Sequence, residues 1–147
     1  MSTSKNTKIY NETEVAFDFE NMYENHAEYS ARRINGSYEQ ERIAIEALKF
    51  KIPNLVRLLP SGWLPRSVLE IGCATGELIS NFPIASGGNR VGVDLSISNI
   101  SSAAERFPET EFHAGSFTNL DLPEFDCVIL SDILEHVEDD VRFLSDA

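Results

Sequence analysis

Glu70, Gly72, Gly76 and Asp94 are the residues best placed to hold a ligand. Ser67-Val68-Leu69-Glu70-Ile71 reads as a short buried strand, and Gly72-Cys73-Ala74-Thr75-Gly76 as a turn that opens a helix at Glu77. Gly72 and Gly76 give the turn backbone freedom and let a ligand approach the main chain where a side chain would intrude. Backbone N–H groups at the following helix start favour electron-rich ligand groups. Eighteen residues beyond Gly76, the strand Arg90-Val91-Gly92-Val93-Asp94 ends in a carboxylate. A carboxylate at a strand tip can accept two hydrogen bonds from a ribose diol. This combination points to a nucleoside-containing ligand; a tight strand-to-helix turn that holds nothing is the plainer alternative.

Spacing narrows the ligand class. A dinucleotide fingerprint needs G-x-G-x-x-G, and read from Gly72 its second and third glycines fall on Ala74 and Glu77. Glu70 would also bring negative charge close to a pyrophosphate, whereas an ammonium or a sulfonium tolerates that carboxylate far better. The E-x-G-x-x-x-G run of Glu70, Gly72 and Gly76, followed by Val91-Gly92-Val93-Asp94-Leu95-Ser96, resembles the class I S-adenosylmethionine-dependent methyltransferases. The resemblance runs from about Arg66 to the last residue. It implies S-adenosylmethionine as cofactor, with Glu70 near the methionyl amino group through water. It further implies close backbone approach at Gly72, Ala74 and Gly76, ribose recognition by Asp94, and Leu95 packed on the adenine face. Gly115-Ser116-Phe117 matches the family's adenine-edge loop, which adds Ser116 and Phe117 to the expected cofactor contacts. The family often carries Asp where this chain has Ser116, and a hydroxyl holds the adenine amino group more weakly than a carboxylate does.

A second constellation is Asp132-Ile133-Leu134-Glu135-His136. It resembles the D/E-x-x-E-H signature that follows strand four in the small-molecule O-methyltransferases of quinone biosynthesis. By that resemblance His136 stands beside the transfer site as the candidate general base. Asp132, Glu135 and His136 could instead ligate a divalent metal, as in some relatives with this signature, or Glu135 could cap a helix while His136 orients the loop. No metal site is assigned. In-line methyl transfer from a sulfonium already has an excellent leaving group, so the protein mainly aligns the reactants and excludes water. Phenols and alcohols benefit from a base; neutral amines and carboxylates need none. The motifs therefore describe the cofactor better than the acceptor, for which a small molecule is expected.

Strands alternating with helices must position these residues. Residues 15–34 are rich in aromatics and acids, and the spacing of Tyr23, His26, Ala27 and Ser30 predicts a helix around Phe19–Arg33. In the family such helices partly cover the cofactor, so Tyr23, Tyr29 or the Arg32-Arg33 pair could approach the methionyl end; core packing and surface pairing are the favoured reading. Ser37 to Gln40 forms a capping box, and the helix it opens carries Ile43, Ala44, Ala47 and Leu48 until Pro53 ends or kinks it. A second piece with Leu55, Val56, Leu58 and Leu59 runs to Pro60-Ser61-Gly62. A short helix from Glu77 to Phe82 is cut by Pro83, and Ser96 caps a helix through Phe107 that Pro108 stops. Glu111–Ala114 and Phe125–Leu130 supply the third and fourth strands, before a last helix.

The predicted architecture is α/β: a doubly wound, Rossmann-like, mostly parallel sheet. Residues 1–60 form a tail and helical cap segment, and residues 61–147 the S-adenosylmethionine-binding domain. The family fold has seven strands and this sequence offers motifs for four. The domain is therefore expected to be incomplete at its C-terminus, as a fragment or as a chain completed by a partner. An unpaired edge on the apolar fourth strand would favour a homo-oligomer or a partner strand.

Composition excludes several alternatives. The 147 residues suit one domain with a real core. The net charge of −12 is uneven: residues 67–147 hold three basic and fifteen acidic side chains. Such a balance argues against nucleic acid and against anionic membrane surfaces, because phosphate binding rests on Lys and Arg. No apolar run approaches the ~20 residues of a membrane span, and Cys73 and Cys127 suggest neither zinc nor a disulfide framework. A cytoplasmic protein is expected. Two readings remain beside the methyltransferase: a binding module or partner subunit that keeps the nucleoside pocket without chemistry, and a nicotinamide-dependent oxidoreductase, which the glycine spacing disfavours.

Overall fold

Short apolar strands flanked by glycine and proline alternate with amphipathic helices, and such strands must be covered on both faces. The computed structural model describes residues 37–147. The helix expected over Phe19–Arg33, with Tyr23, His26, Tyr29 and the Arg32-Arg33 pair, lies outside these residues, as do the capping side chains of Ser37 and Gln40. Four strands, β1 (Ser67–Ile71), β2 (Asn89–Asp94), β3 (Glu111–Ala114) and β4 (Cys127–Ile129), form one parallel sheet in the order β3-β2-β1-β4. Register runs from Ser67 opposite Asn89 to Ile71 opposite Val93, and Glu70 faces Gly92 on one side and Ile129 on the other. The order reverses between β1 and β4, which opens a crevice at their carboxyl ends.

Helices α1 (Ser37–Glu46), α2 (Ile52–Val56), α3 (Glu77–Asn81), α4 (Ile97–Arg106) and α5 (Asp140–Asp146) surround the sheet. Alternation along β1 sorts the core. Val68 packs with Ala47, Leu78, Ile79, Phe82 and Ile100 on one face. Leu69 and Ile71 pack with Val91, Val93, Phe117, Val137 and Phe143 on the other. The Ser96 hydroxyl accepts from Asn99 N at 3.2 Å and starts α4 as its sequence predicts. Among the described residues no helix is long and apolar enough to cross a membrane.

Two expectations are sharpened. Of the end or kink expected at Pro53, the chain takes neither a stop nor a break: α1 continues through a π-helical turn, Ala47–Lys51, directly into the second helical piece, α2. Proline lacks an N–H and its ring crowds the carbonyl four residues earlier; a wider turn just before it, with Ile52 N donating to Ala47 O, accommodates both. The fourth strand is also shorter than Phe125–Leu130. Asp126 Oδ2 accepts from Arg66 N (2.8 Å) and Ser67 N (3.2 Å), while its own N–H donates to Ser67 Oγ. Asp126 thereby clamps the entrance of β1, and ladder pairing begins only at Cys127. The outer side of β4 has no partner strand among the described residues.

Candidate functional site

The turn between β1 and α3 takes its shape from three left-handed residues: Gly72 (φ +79°), Ala74 (φ +47°) and Gly76 (φ +83°). Gly72 N and Cys73 N both donate to Val93 O, tying the turn to the end of β2. Ala74 carries a Cβ in a conformation costing about 1–2 kcal/mol, and Asp94 holds it there: its Oδ2 accepts from Ala74 N at 2.8 Å. The other oxygen, Oδ1, accepts from Ser96 N at 2.9 Å and faces the Asn99 amide at 3.5 Å. Asp94 is thus fixed at the strand tip and turned toward the glycine turn. Leu95, beside it, is half-buried against the core.

Glu70 lies on the α3 side of β1, 3% exposed, and its Oε2 accepts from Ile79 N in the first turn of α3 at 3.1 Å. Burial pushes its carboxyl up to about 8; the Ile79 bond and Lys51 oppose the shift, and Asp94 and Glu77 add to it. A cation brought alongside would favour the ionised form. Glycine at position 76 serves packing as well as conformation, since a Cβ there would stand 2.7 Å from Phe112 Cζ and 3.1 Å from Ala103 Cβ. At Gly72 a Cβ would meet Ile133 Cδ1 at 2.9 Å, so the loop after β4 lies directly over the turn after β1. Burial raises the Cys73 thiol well above its usual range, with Asp94 and Glu70 reinforcing the effect. It is a neutral packing group.

Sequence reasoning missed one buried network. Glu77, 3% exposed, accepts from Thr75 Oγ1 at 2.7 Å and pairs with Arg106 from the end of α4. Arg106 also reaches Thr75 O at 3.5 Å. The pair braces the last residues of the glycine turn from behind. A Glu in the first turn of a helix followed by a distant Arg is no signal in a single sequence.

Ser116 is buried, its hydroxyl 2.8 Å from Thr118 Oγ1. Phe117 opens a short 3-10 turn, and its ring meets Phe143 edge-on at 5.2 Å within the core. After β4, Asp132 adopts φ +56° and His136 closes a 3-10 turn, Leu134–His136, with its N–H on Ile133 O at 2.9 Å. Its ring is exposed, and the turn is anchored by buried Val137. Asp139 rather than Glu135 caps the last helix, accepting from Arg142 N at 3.0 Å. Among the described residues no three His, Cys, Asp or Glu side chains gather as a metal site, so Asp132, Glu135 and His136 stand apart. The turns after β1, β2 and β4 therefore converge at the carboxyl ends of the strands, with Asp94 against the glycine turn and Ile133 over Gly72.

Solved structures share this fold. A methyltransferase of Thermotoga maritima described as a possible histamine N-methyltransferase is 24% identical, with a TM-score of 0.56 over 81% of this chain and 54% of its own. The magnesium protoporphyrin IX methyltransferase of Synechocystis PCC 6803 with bound S-adenosylhomocysteine is 21% identical, with a TM-score of 0.63 over 89% of this chain and 65% of its own. The chain thus spans between half and two thirds of the length of these two proteins. No curated protein matches it. The model of the family described as "Methyltransferase domain" matches residues 68–147, more than half of the chain. The chain belongs to the class I S-adenosylmethionine-dependent methyltransferase domain family.

Proposed function

We propose that this protein transfers a methyl group from S-adenosylmethionine to a small molecule. The observation that carries the reading is the bond from Ala74 N to Asp94 Oδ2. It brings the carboxylate suited to a ribose diol against the turn whose backbone a nucleoside would lie on. A cationic ligand end would draw buried Glu70 toward its ionised form, and exposed Asp132 would favour the same charge. S-adenosylmethionine would supply the activated methyl group. Glu70 would face the methionyl amino group while keeping its bond to α3; Gly72, Ala74 and Gly76 would offer the main-chain cradle. Leu95 would lie on the adenine face and Ser116 at its edge. Phe117, with its ring turned into the core, would contribute through its main chain.

His136 is proposed as the base that takes the acceptor's proton. Its ring is exposed on the loop that covers Gly72, so an acceptor can reach it. Residues 1–60 would act as a cap, consistent with Ala47 being buried in the core beside β1 and α3, and residues 61–147 as the cofactor-binding domain. A small acceptor, rather than nucleic acid, suits the acidic surface, and the free thiols of Cys73 and Cys127 suit the cytoplasm. The side of β4 that has no partner strand among the described residues suits a second copy or a partner strand. The test is S-adenosylhomocysteine formation, followed by mass spectrometry, across a panel of phenol, amine and carboxylate acceptors. Product that depends on one acceptor class supports the reading. Specific S-adenosylhomocysteine binding with no product across the panel would favour a nucleoside-binding module instead.

A further inference from the structure

Lys51 is the residue that the family motifs leave unused and the structure places at the crevice. It ends the π-helical turn, and the wide turn sets its amino group 3.4 Å from Glu46 Oε1. The same amino group reaches across to the carboxylate of Asp132, eighty-one positions away in the chain. Asp132 is one of two non-glycine residues with positive φ among those described, the other being Ala74 in the glycine turn. Held residues of this kind concentrate at functional sites. The next residue, Ile133, lies over Gly72. One ion pair therefore joins the N-terminal helical arm to the loop after β4, above the point where the strand order reverses. Its charge is also felt by Glu70.

The pair is well suited to change partners. Its side chains are 29% and 65% exposed, so it is a weak, solvated ion pair. Burial alone would lower the Lys51 amine, but Asp132 and Glu46 outweigh it, and the group stays cationic. A cation from one element and an anion from another, set side by side, match the carboxylate and ammonium of an α-amino-acid group in reverse. We infer that Lys51 and Asp132 form a latch that opens by exchange with a zwitterionic amino-acid moiety, Lys51 taking the carboxylate and Asp132 the ammonium. The inference rests on the nucleoside-cofactor reading of the crevice and adds the specificity of its open end. A nucleoside without the amino-acid arm leaves the latch shut and gains nothing from either residue.

Calorimetric titration of three ligands separates the parts: S-adenosylhomocysteine, its decarboxylated analogue, and 5′-methylthioadenosine, which lacks the amino-acid group. Wild type should prefer S-adenosylhomocysteine to the decarboxylated analogue by about tenfold or more, as for one charge-assisted bond. In Lys51→Met that preference should shrink to about twofold or less, with the 5′-methylthioadenosine affinity unchanged. In Asp132→Asn, which tolerates the same backbone conformation, the step between the decarboxylated analogue and 5′-methylthioadenosine should shrink instead. A Lys51→Met protein that retains the wild-type preference, or that loses all three ligands equally, overturns the latch while the nucleoside site stands. If wild type binds neither S-adenosylhomocysteine nor 5′-methylthioadenosine, the nucleoside reading fails and the latch falls with it.

Discussion

Replacing Glu70 by Gln should remove a pH dependence that the fold builds into β1. The carboxyl is 3% exposed and is pushed up to about 8, chiefly by burial. In the unfolded chain it titrates in the ordinary glutamate range, near ~4.3. Below that range both states hold the proton and Glu70 costs nothing. As pH rises, the unfolded chain releases the proton while the folded chain keeps it, so stability falls by about 1.4 kcal/mol per pH unit. The loss continues to the folded pKa of about 8, beyond which both states are ionised and the slope ends. Across the window this amounts to at most about 5 kcal/mol, a ceiling because water and side-chain movement relieve a buried charge. Glutamine keeps an acceptor for Ile79 N–H and cannot ionise. The variant should therefore match wild type near about pH 4.5 and exceed it by a few kcal/mol at about pH 8.5. Urea unfolding of both proteins over a pH series measures this, and taking the difference cancels every other titrating group. A difference that stays flat from acid to base would refute the reasoning, because Glu70 would then ionise as readily folded as unfolded.

Three further outcomes are expected. Asp94→Asn should weaken S-adenosylhomocysteine binding by about 2 kcal/mol through loss of charge-assisted acceptance, and an unchanged affinity in calorimetry would move the ribose site elsewhere. Gly76→Ala should destabilise by about 2–4 kcal/mol, combining left-handed strain with overpacking, because its Cβ would stand 2.7 Å from Phe112 Cζ; a wild-type melting temperature would show that Phe112 yields freely. His136→Ala should lower turnover by about 10²-fold with cofactor affinity nearly intact, whereas a lower melting temperature at full turnover would make His136 a loop-orienting residue only.

What could be read from the sequence was local. The β1 strand, the left-handed glycines, the Ser96 cap and the Glu111–Ala114 strand each follow from neighbours within a few positions. Lys51 and Asp132 were opaque because nothing short of the folded path brings together residues that lie eighty-one positions apart. Glu77 and Arg106 were opaque for the same reason. At Pro53 the local rule leaves an end or a kink open; burial of Ala47, with Ile52, Leu55 and Val56 packed against the same core, favours continuation, and a π-helical turn accommodates the proline. At Phe125 the apolar run suggests a longer strand than Asp126 permits. Phe117, expected at the adenine edge by resemblance, packs its ring in the core against Phe143, a contact between residues too far apart in the chain to be read locally.

The central claim is that the crevice at the tips of β1, β2 and β4 holds S-adenosylmethionine. Its most direct test is a calorimetric titration of the wild-type protein with S-adenosylhomocysteine and, separately, with NAD. S-adenosylhomocysteine should bind saturably at one site, and NAD should give no specific heat, because the glycine spacing does not cradle a pyrophosphate. Tighter binding of NAD, or no binding of S-adenosylhomocysteine, would contradict the account.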